Sequence, residues 1–321
     1  MKIMYQLMTT FLFFNLINIA NAKEIQESTQ EIELTTLSEQ APNYDIAITY
    51  LSEKWQLNNL QPFVYEFVFD HYVARAYSHL YQQDVVIKIN ESNDEAQALQ
   101  HLQNDGMVKL LDYDDKYFAL LLQYIPAQGN LTDFIVAGND DDLVIDIFID
   151  LFKKIHCSSQ QFIKADFATL QDRFAILWSY NFTKIPEHVL QKAMRLYDEL
   201  FSSDEPYYLL HCDLHCQNIL QYQDSFIVID PWPAMGPLEY EVAPFLVSPT
   251  NVLLSHNNVK DILQHRLNRL SDLLHFNKKQ LKNWSFMRLI LLACTCEMKN
   301  KNDDWIYDFI QVAHIIEQLE V

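Results

Sequence analysis

The sequence predicts an α+β fold of two lobes, in which a β-rich lobe precedes a mostly helical one. Three observations support this prediction. Aromatic residues alternate with other residues along Phe63–Phe69, as in a half-buried strand. Val85–Ile89 is an apolar run of strand length. From Leu143 onward, apolar residues recur at helical spacing over long segments.

Composition narrows the function classes. The chain has 321 residues, of which 50% are hydrophobic, so it can bury the core of two lobes. A net charge of -20 argues against nucleic-acid binding, which relies on basic residues, and it suits either a cationic ligand or simple solubility. Four glycines disfavour a glycine-rich phosphate loop. Five unevenly spread cysteines indicate a reducing compartment rather than a disulfide framework.

The first 44 residues are predicted to lie outside the globular part. In residues 1–22, the apolar run Leu7–Ile19 precedes Ala20-Asn21-Ala22, a pattern typical of a signal-peptide cleavage site. The run is too short to span a bilayer comfortably, so no stable membrane insertion is expected beyond this segment. Its single Lys2 leaves an over-extended gene start or a plain leader as alternatives. Residues 23–44 are polar and predicted to be a linker.

The first lobe is predicted over residues 45–125. Its apolar spacing and turn residues give the order helix, three strands, helix, two strands. The predicted elements are Asp45–Trp55, Phe63–Phe69, Val73–Tyr81, Asp84–Ile89, Glu91–Gln103, Val108–Tyr113 and Tyr117–Tyr124.

The second lobe, residues 126–321, is predicted to be mostly helical because its apolar residues follow helical periodicity. The helices are Leu143–His156, Pro186–Phe201, Val259–His275, Lys278–Met298 and Asp303–Leu319. One β-hairpin region interrupts them, with short apolar stretches at Tyr207–His211, Ile219–Tyr222 and Phe226–Ile229.

This hairpin region carries the residues with the clearest chemistry. Asp213 and Asn218 have the D-x-x-x-x-N spacing of a kinase catalytic loop, and Asp230 follows an apolar strand as a metal-binding aspartate does. Phosphoryl transfer needs a carboxylate that orients the attacking hydroxyl and accepts its proton, which suits Asp213. It also needs hard oxygen ligands for Mg²⁺, which suits Asn218 and Asp230. The combination predicts a kinase that phosphorylates a small molecule.

A zinc site is the alternative interpretation of the same segment. His211, Cys212, His215 and Cys216 offer nitrogen and sulfur ligands. Ligands crowded into one loop, without a second cluster elsewhere, make a poor tetrahedral site, so the kinase interpretation is favoured.

A kinase also needs residues that hold ATP. Lys88 lies within an apolar strand, where a lone charge would be costly, and Glu95 on the next helix is its best partner, with Glu91 in reserve. The segment Gln123-Tyr124-Ile125 leads out of the first lobe, so its backbone is the expected adenine hinge. The turn expected to cover the nucleotide, Asp70–Val73, contains no glycine.

The motifs resemble the aminoglycoside phosphotransferase family, and within it the branch of streptomycin 6-kinases and hydroxyurea-resistance kinases. That branch typically reads L-H-G-D-L-H-x-x-N-I-L, and this chain has L-H-C-D-L-H-C-Q-N-I-L over residues 210–220. The continuation Ile229-Asp230-Pro231, Gly236 and residues 239–243 (E-Y-E-V-A) also fits. Cys212 replaces the usual glycine, which implies either a negative φ or strain. Gln123 replaces the usual glutamate.

The resemblance implies a protein-kinase-like fold and an ATP- and Mg²⁺-dependent O-phosphotransferase. The expected acceptor is a hydroxylated, cationic small molecule, most simply an aminoglycoside of the streptomycin type. Other small acceptors, such as choline, a sugar or a sugar amine, and a non-catalytic kinase-like binding protein remain alternatives. A need for ATP favours a cytoplasmic location, with export as the alternative because of residues 1–22.

Overall fold

The computed structural model describes residues 44–63, 71–102, 106–156, 167–202 and 206–321. Contacts between Cα atoms divide the chain into two units. One contains Lys109–Ile125 and the described residues up to Ala96, and the other contains Gln97–Val108 and Pro126–Val321. The predicted leader and linker, residues 1–22 and 23–44, lie outside the described residues apart from Tyr44.

The first unit is built on a five-stranded antiparallel sheet, and the second is mostly helical, which confirms the predicted α+β class. The sheet has the strand order β1-β2-β3-β5-β4. The elements are α1 (Asp45–Lys54), β1 (Leu57–Pro62), β2 (Tyr72–Ser78), β3 (Gln83–Ile89), α2 (Asp94–Leu102, whose last residues belong to the second unit), β4 (Leu110–Asp114) and β5 (Ala119–Gln123).

The core of this unit explains why β3 and β5 are so apolar. Strand β3 lies between β2 and β5, and its Val85 and Ile87 are fully buried. Strand β5 buries the consecutive residues 119–122, as a strand covered on both faces does. Leu51 of α1 and Trp55, the residue directly after this helix, pack into the same cluster. Lys88, on β3, is therefore held in a rigid central strand.

The start of this sheet differs from the prediction. The predicted strand Phe63–Phe69 lies outside the described residues except for Phe63. The first described strand is β1, which the sequence did not indicate because its leucines are only partly buried and its Asn and Gln residues are exposed. The predicted turn Asp70–Val73 is also wrong in part, since Tyr72 and Val73 belong to β2 and pair with β3.

The second unit contains two small sheets and ten helices among the described residues. The elements are β6 (Gly129–Asn130), α3 (Leu131–Val136), α4 (Asp141–His156), α5 (Leu170–Phe174), α6 (Ile176–Ser179), α7 (Glu187–Phe201), β7 (Tyr208–Leu210), β8 (Ile219–Tyr222), β9 (Ser225–Val228), β10 (Ala234–Gly236), α8 (Ala243–Leu246), α9 (Thr250–Ser255), α10 (Val259–Leu274), α11 (Lys278–Met298) and α12 (Asp303–Glu317).

The predicted hairpin region is really two sheets. Strands β8 and β9 form a hairpin that β6 extends, whereas β7 pairs antiparallel with β10. Leu210 pairs with Ala234 and Ile219 pairs with Val228, so the loop between them joins two different sheets. Three short apolar stretches indicate strands but do not encode which strand pairs with which, and that pairing was the part missed.

Helix α11 forms the centre of the helical unit. Nearly every residue from Leu281 to Glu297 is buried, as expected for a helix surrounded by others. Its Trp284 ring packs within 5.5 Å of Tyr240 and 6.2 Å of Phe174, measured between ring centroids. In the part of the chain that the structure describes, no helix combines the length and apolarity needed to cross a bilayer.

Candidate active site

The predicted catalytic loop joins β7 to β8, and the backbone places the two predicted metal ligands near its end. A 3₁₀ turn, Cys216–Asn218, leads directly into β8. The N–H of Ile229 donates to the carbonyl of Asn218 at 2.9 Å, which extends the β8–β9 pairing by one residue. Asp230 is the next residue after this pairing, so the structure brings it beside Asn218.

The carboxylate of Asp213 is held from both sides. Arg288 Nη2 donates to its Oδ1 in a very short contact, while Asn218 Nδ2 lies 3.3 Å and His215 Nε2 3.5 Å from its Oδ2. Burial by itself would raise the pKa of Asp213, but the nearby His215 and Arg288 outweigh it and hold the pKa below its usual range. Asp213 is thus a buried, ionised group in a fixed position.

The two ends of the Asn218 side-chain amide differ in their hydrogen bonding. Its Nδ2 donates to the backbone carbonyl of Asp213 at 3.0 Å and faces the Asp213 carboxylate. Its Oδ1 is buried and has no donor among the described residues. A buried acceptor without a partner is costly, and a bound cation would satisfy it.

The two histidines of the loop have defined hydrogen bonds. His211 Nδ1 accepts from the N–H of Asp213 at 3.2 Å, so its proton lies on Nε2, 3.0 Å from the Ile229 carbonyl. His215 Nδ1 accepts from Gln217 N at 3.2 Å, which leaves an Nε2 proton facing Asp213. Burial lowers the pKa of His211. His211 therefore ties the loop to β9 as a neutral ring.

Glu241 fixes the start of the loop. It is fully buried, and its two oxygens accept from the N–H groups of His211 at 2.9 Å and Cys212 at 3.0 Å. His156 Nε2 lies 3.6 Å from Oε1. Burial would raise the pKa of Glu241, but His156, His211 and the N–H groups lower it. Glu241 therefore holds the start of the loop and is closed off from solvent.

Cys212 settles one alternative left open by the sequence. Its φ is 61°, in the left-handed region. Of the two possibilities given by the sequence, a strained backbone at Cys212 is therefore confirmed and a negative φ is wrong. Burial raises the pKa of its thiol to about 12.

The zinc interpretation meets side chains that are engaged elsewhere. Cys216 Sγ lies 3.5 Å from the Ser248 carbonyl, and burial raises the pKa of this thiol to about 11. Both loop histidines make the hydrogen bonds described above. Among the described residues no group of three or more His, Cys, Asp or Glu side chains is arranged to hold a metal. A pair of oxygen ligands from Asn218 and Asp230 is a different donor set, and it suits Mg²⁺.

The sequence did not indicate Arg288 as a partner of Asp213. Arg288 lies on α11, is 3% exposed, and has its Nη1 3.4 Å from the carbonyl of Cys212. Burial would lower its pKa, yet Tyr240 and Asp213 keep it raised. One signal was present: a single arginine interrupts the apolar run from Trp284 to Ala293, and a charge in a buried helix requires a partner.

The first unit contains the ion pair expected from the sequence. Lys88 Nζ lies 2.6 Å from Glu95 Oε2, with side chains 10% and 8% exposed. Asn90 Nδ2 donates to the same oxygen at 2.7 Å. The pair itself is present, whereas its part in nucleotide binding stays a prediction.

The expected adenine hinge follows β5. Gln123 is the last residue of β5, and its N–H donates to the Lys109 carbonyl at 2.9 Å. The Tyr124 ring stacks 4.2 Å from the Arg75 guanidinium, and Ile125 is buried. Their role as a hinge stays a prediction.

Comparison with known proteins identifies the family of this chain. A family model described as "Aminoglycoside/hydroxyurea antibiotic resistance kinase" matches residues 82–299, about two thirds of the chain. Streptomycin 6-kinase of Streptomyces griseus is 21% identical over 206 residues, which cover 58% of this chain and 61% of that enzyme. The match therefore spans less than two thirds of that relative.

Two solved structures show the same fold. Aminoglycoside phosphotransferase APH(4)-Ia, as a thermostable D198A mutant in ternary complex with ADP and hygromycin B, is 13% identical with a TM-score of 0.57 and covers 84% of this chain and 97% of its own. Choline kinase LicA from Streptococcus pneumoniae is 15% identical with a TM-score of 0.61 and covers 85% and 98%. The predicted protein-kinase-like fold and the resemblance indicated by the motifs are confirmed.

Proposed function

Because the chain belongs to the aminoglycoside/hydroxyurea antibiotic resistance kinase family, we propose that it transfers a phosphoryl group from ATP to a hydroxyl of a small molecule of the streptomycin type. One observation carries the proposal. The buried Asp213 carboxylate is joined to Asn218, whose Oδ1 has no donor among the described residues, and Asp230 follows the strand paired beside it. The site thus combines a carboxylate that can orient the acceptor hydroxyl with a neighbouring pair of oxygen ligands.

Asn218 Oδ1 and the Asp230 carboxylate would hold Mg²⁺ in this proposal. Both are hard oxygen ligands, and the unsatisfied Oδ1 gains a partner when the ion binds. The ion supplies charge neutralisation for the phosphates. The amide keeps its Nδ2 on Asp213 at the same time, so the protein itself sets the distance between the metal ligand and the acceptor-orienting carboxylate.

The first unit would hold the nucleotide through two features. Lys88 would donate to the phosphates while Glu95 and Asn90 fix its direction. The backbone of Gln123-Tyr124-Ile125 would hydrogen-bond adenine. These assignments rest on the buried Lys88–Glu95 pair and on the position of the segment at the end of β5.

The transfer itself is a simple displacement. The acceptor oxygen forms a bond to the γ-phosphorus, and the bond from that phosphorus to the bridging oxygen of ADP breaks. Asp213 accepts a hydrogen bond from the acceptor hydroxyl, which orients its lone pair, and receives the proton as the new bond forms. That proton then passes to solvent, so the products are ADP and a phosphate ester.

The acceptor class rests on the relatives and on charge. The similar curated enzyme is a streptomycin 6-kinase, and streptomycin is a cation that a protein of net charge -20 attracts. Choline, sugars and sugar amines are the competing acceptors, and a kinase-like protein that binds without turnover is the competing class.

A coupled assay of ADP release tests the proposal. Purified protein with ATP is offered streptomycin, other aminoglycosides, choline and simple sugars, each with and without Mg²⁺. We expect Mg²⁺-dependent ADP release and phosphorylated streptomycin by mass spectrometry, and no product from Asp213→Asn. If only choline or a sugar gives product, that molecule replaces streptomycin as the proposed acceptor. If the protein does not bind ATP in the presence of Mg²⁺, the proposed enzyme function is overturned.

We further propose that the protein works in the cytoplasm, because its proposed reaction consumes ATP. Residues 1–22 provide the test. N-terminal sequencing of the protein from its native cell should find an intact start, and a mature start near Lys23 would overturn this location.

A further inference from the structure

We propose that Arg288 is a positioning residue for the transfer, one that fixes the Asp213 carboxylate so that Oδ2 faces the acceptor hydroxyl. The proposal rests on the proposed function, because positioning matters only if Asp213 meets an acceptor. Its basis is the contact between the two side chains, each 4% exposed, in which Nη2 of Arg288 donates to Oδ1 of Asp213.

The two oxygens of Asp213 are held differently. Oδ1 is taken by the guanidinium in a very short contact. Among the described residues, the contacts of Oδ2 are the longer ones to Asn218 at 3.3 Å and His215 at 3.5 Å. A carboxylate oxygen has room for further donors, so Oδ2 is the oxygen suited to receive a hydrogen bond from an acceptor.

The guanidinium also reaches the backbone of the same loop. Its Nη1 lies 3.4 Å from the carbonyl of Cys212, the residue with φ of 61°. One planar group thus contacts both the strained turn and the carboxylate that follows it. A lysine, with one compact ammonium group, does not offer this fork.

Helix α11 gives the contact a rigid base. Arg288 projects from a 21-residue helix that is buried along most of its length, so its Cα position is set by the core. Catalytic groups work best when their own rotamers are locked by packing and by hydrogen bonds of this kind.

Stability alone is a poor reason for this arginine. Replacing a buried ion pair by apolar residues of similar volume is often neutral or stabilising, because the charges lose their hydration. An apolar side chain at position 288 would also continue the run from Trp284 to Ala293. Because core packing does not need the charge of Arg288, this charge is better explained by the Asp213 carboxylate that it orients.

The test compares three variants with the wild-type protein. Arg288→Met removes the guanidinium and keeps an apolar stem, and Arg288→Lys keeps the charge without the fork. Arg269→Met is the control, because Arg269 is a partly buried arginine bonded to a carboxylate on a different helix, Asp146 of α4. Steady-state kcat and KM are measured for ATP and for the acceptor. The kcat values are expressed per nucleotide-binding site, and these sites are counted by titration with ADP.

We expect Arg288→Met to lower kcat about 100-fold, since a misplacement of about 1 Å costs that much, with KM for ATP changed less than about twofold. Arg288→Lys should recover about tenfold of that loss, because it restores one donor to Oδ1. Arg269→Met should keep kcat within about twofold even if its melting temperature falls.

Each other result overturns the proposal in a recognisable way. Wild-type kcat in Arg288→Met, or an equal loss in Arg269→Met, would mean that Arg288 serves packing only. A rise in acceptor KM at constant kcat would mean substrate binding instead. If Arg288→Met does not fold, Arg288→Lys decides alone, and its kcat should still fall about tenfold while ADP binds normally. A wild-type protein that phosphorylates no acceptor is a separate outcome, seen before any variant is made, and it overturns the proposed function together with this role.

Discussion

Each unit of the molecule has a buried ion pair among its candidate site residues, and these two pairs are built differently. Lys88 and Glu95 lie on neighbouring elements seven residues apart, and Asn90 shares the same glutamate oxygen. Asp213 and Arg288 are 75 residues apart, and the arginine comes from the middle of the core helix α11.

The difference concerns how much freedom each cation has. Lys88 is a flexible ammonium that contacts the Glu95 carboxylate, with a side chain 10% exposed, and its three donors allow it to keep Glu95 and still donate to a phosphate. Arg288 is fixed by a planar fork in a site where both side chains are 4% exposed. The first pair suits a ligand-binding group, and the second suits a group that holds another in place.

The largest expected effect follows from removing the carboxylate of the second pair. Asp213→Ala should abolish turnover and also lower the free energy of unfolding by about 3–5 kcal/mol, because Arg288 is left buried without a counter-charge. Glu95→Ala should cost less, since Lys88 can turn toward water. Urea unfolding followed by tryptophan fluorescence measures both.

The double variant Asp213→Ala with Arg288→Met is the control for that result. It removes both charges, so it should be more stable than Asp213→Ala alone by about 2 kcal/mol or more. An Asp213→Ala protein as stable as wild type would contradict the buried pair.

The same contrast explains which site residues the sequence could predict. Lys88 with Glu95, and Asp213 with Asn218, are close along the chain, so strand, helix and loop spacing alone bring them together. Arg288 and Glu241 join the loop from other elements. Their partners depend on how α11 and the segment after β10 pack, which local periodicity does not encode. The charge of Arg288 within the apolar stretch Phe286–Ala293 of α11 was the available signal.

The fold shows a similar limit. Lys278–Met298 and Ile219–Tyr222 were predicted with the bounds that the structure has, because their apolar patterns are strong. Strand β1 was missed because its exposed Asn and Gln residues do not alternate with buried ones. The pairing of β7 with β10 was missed because a three-residue strand contains no information about its partner.

A second effect distinguishes the two pairs by function rather than stability. Lys88→Met should lower kcat/KM for ATP about 10²–10³-fold, the usual cost of losing a donor to developing charge. The loss of stability should be smaller than in Asp213→Ala, because Glu95 still accepts from Asn90. Kinetics at varied ATP concentration and urea unfolding check the two parts.

Lys54→Met is the matched control in the same unit. Lys54 Nζ pairs with Asp114 at 2.9 Å, and its side chain is 31% exposed. Its loss should leave kcat/KM for ATP within about twofold. Equal losses in both lysine variants would remove the reason to assign Lys88 to the phosphates.

The smallest expected effect concerns the backbone next to the Asp213–Arg288 pair. Lys88 lies in a regular strand, whereas Cys212, the residue before Asp213, does not. With φ of 61°, Cys212 occupies a region that costs a residue with a Cβ about 1–2 kcal/mol. Cys212→Gly should therefore be more stable than Cys212→Ala by about 1 kcal/mol, measured by urea unfolding. The same two substitutions at Cys216, a buried cysteine of the 3₁₀ turn, should give the opposite order, with alanine more stable by about 0.5–1 kcal/mol. If alanine gives the more stable protein at both positions, the backbone at Cys212 is not strained. The contact between Arg288 and the Cys212 carbonyl would then not hold a strained turn.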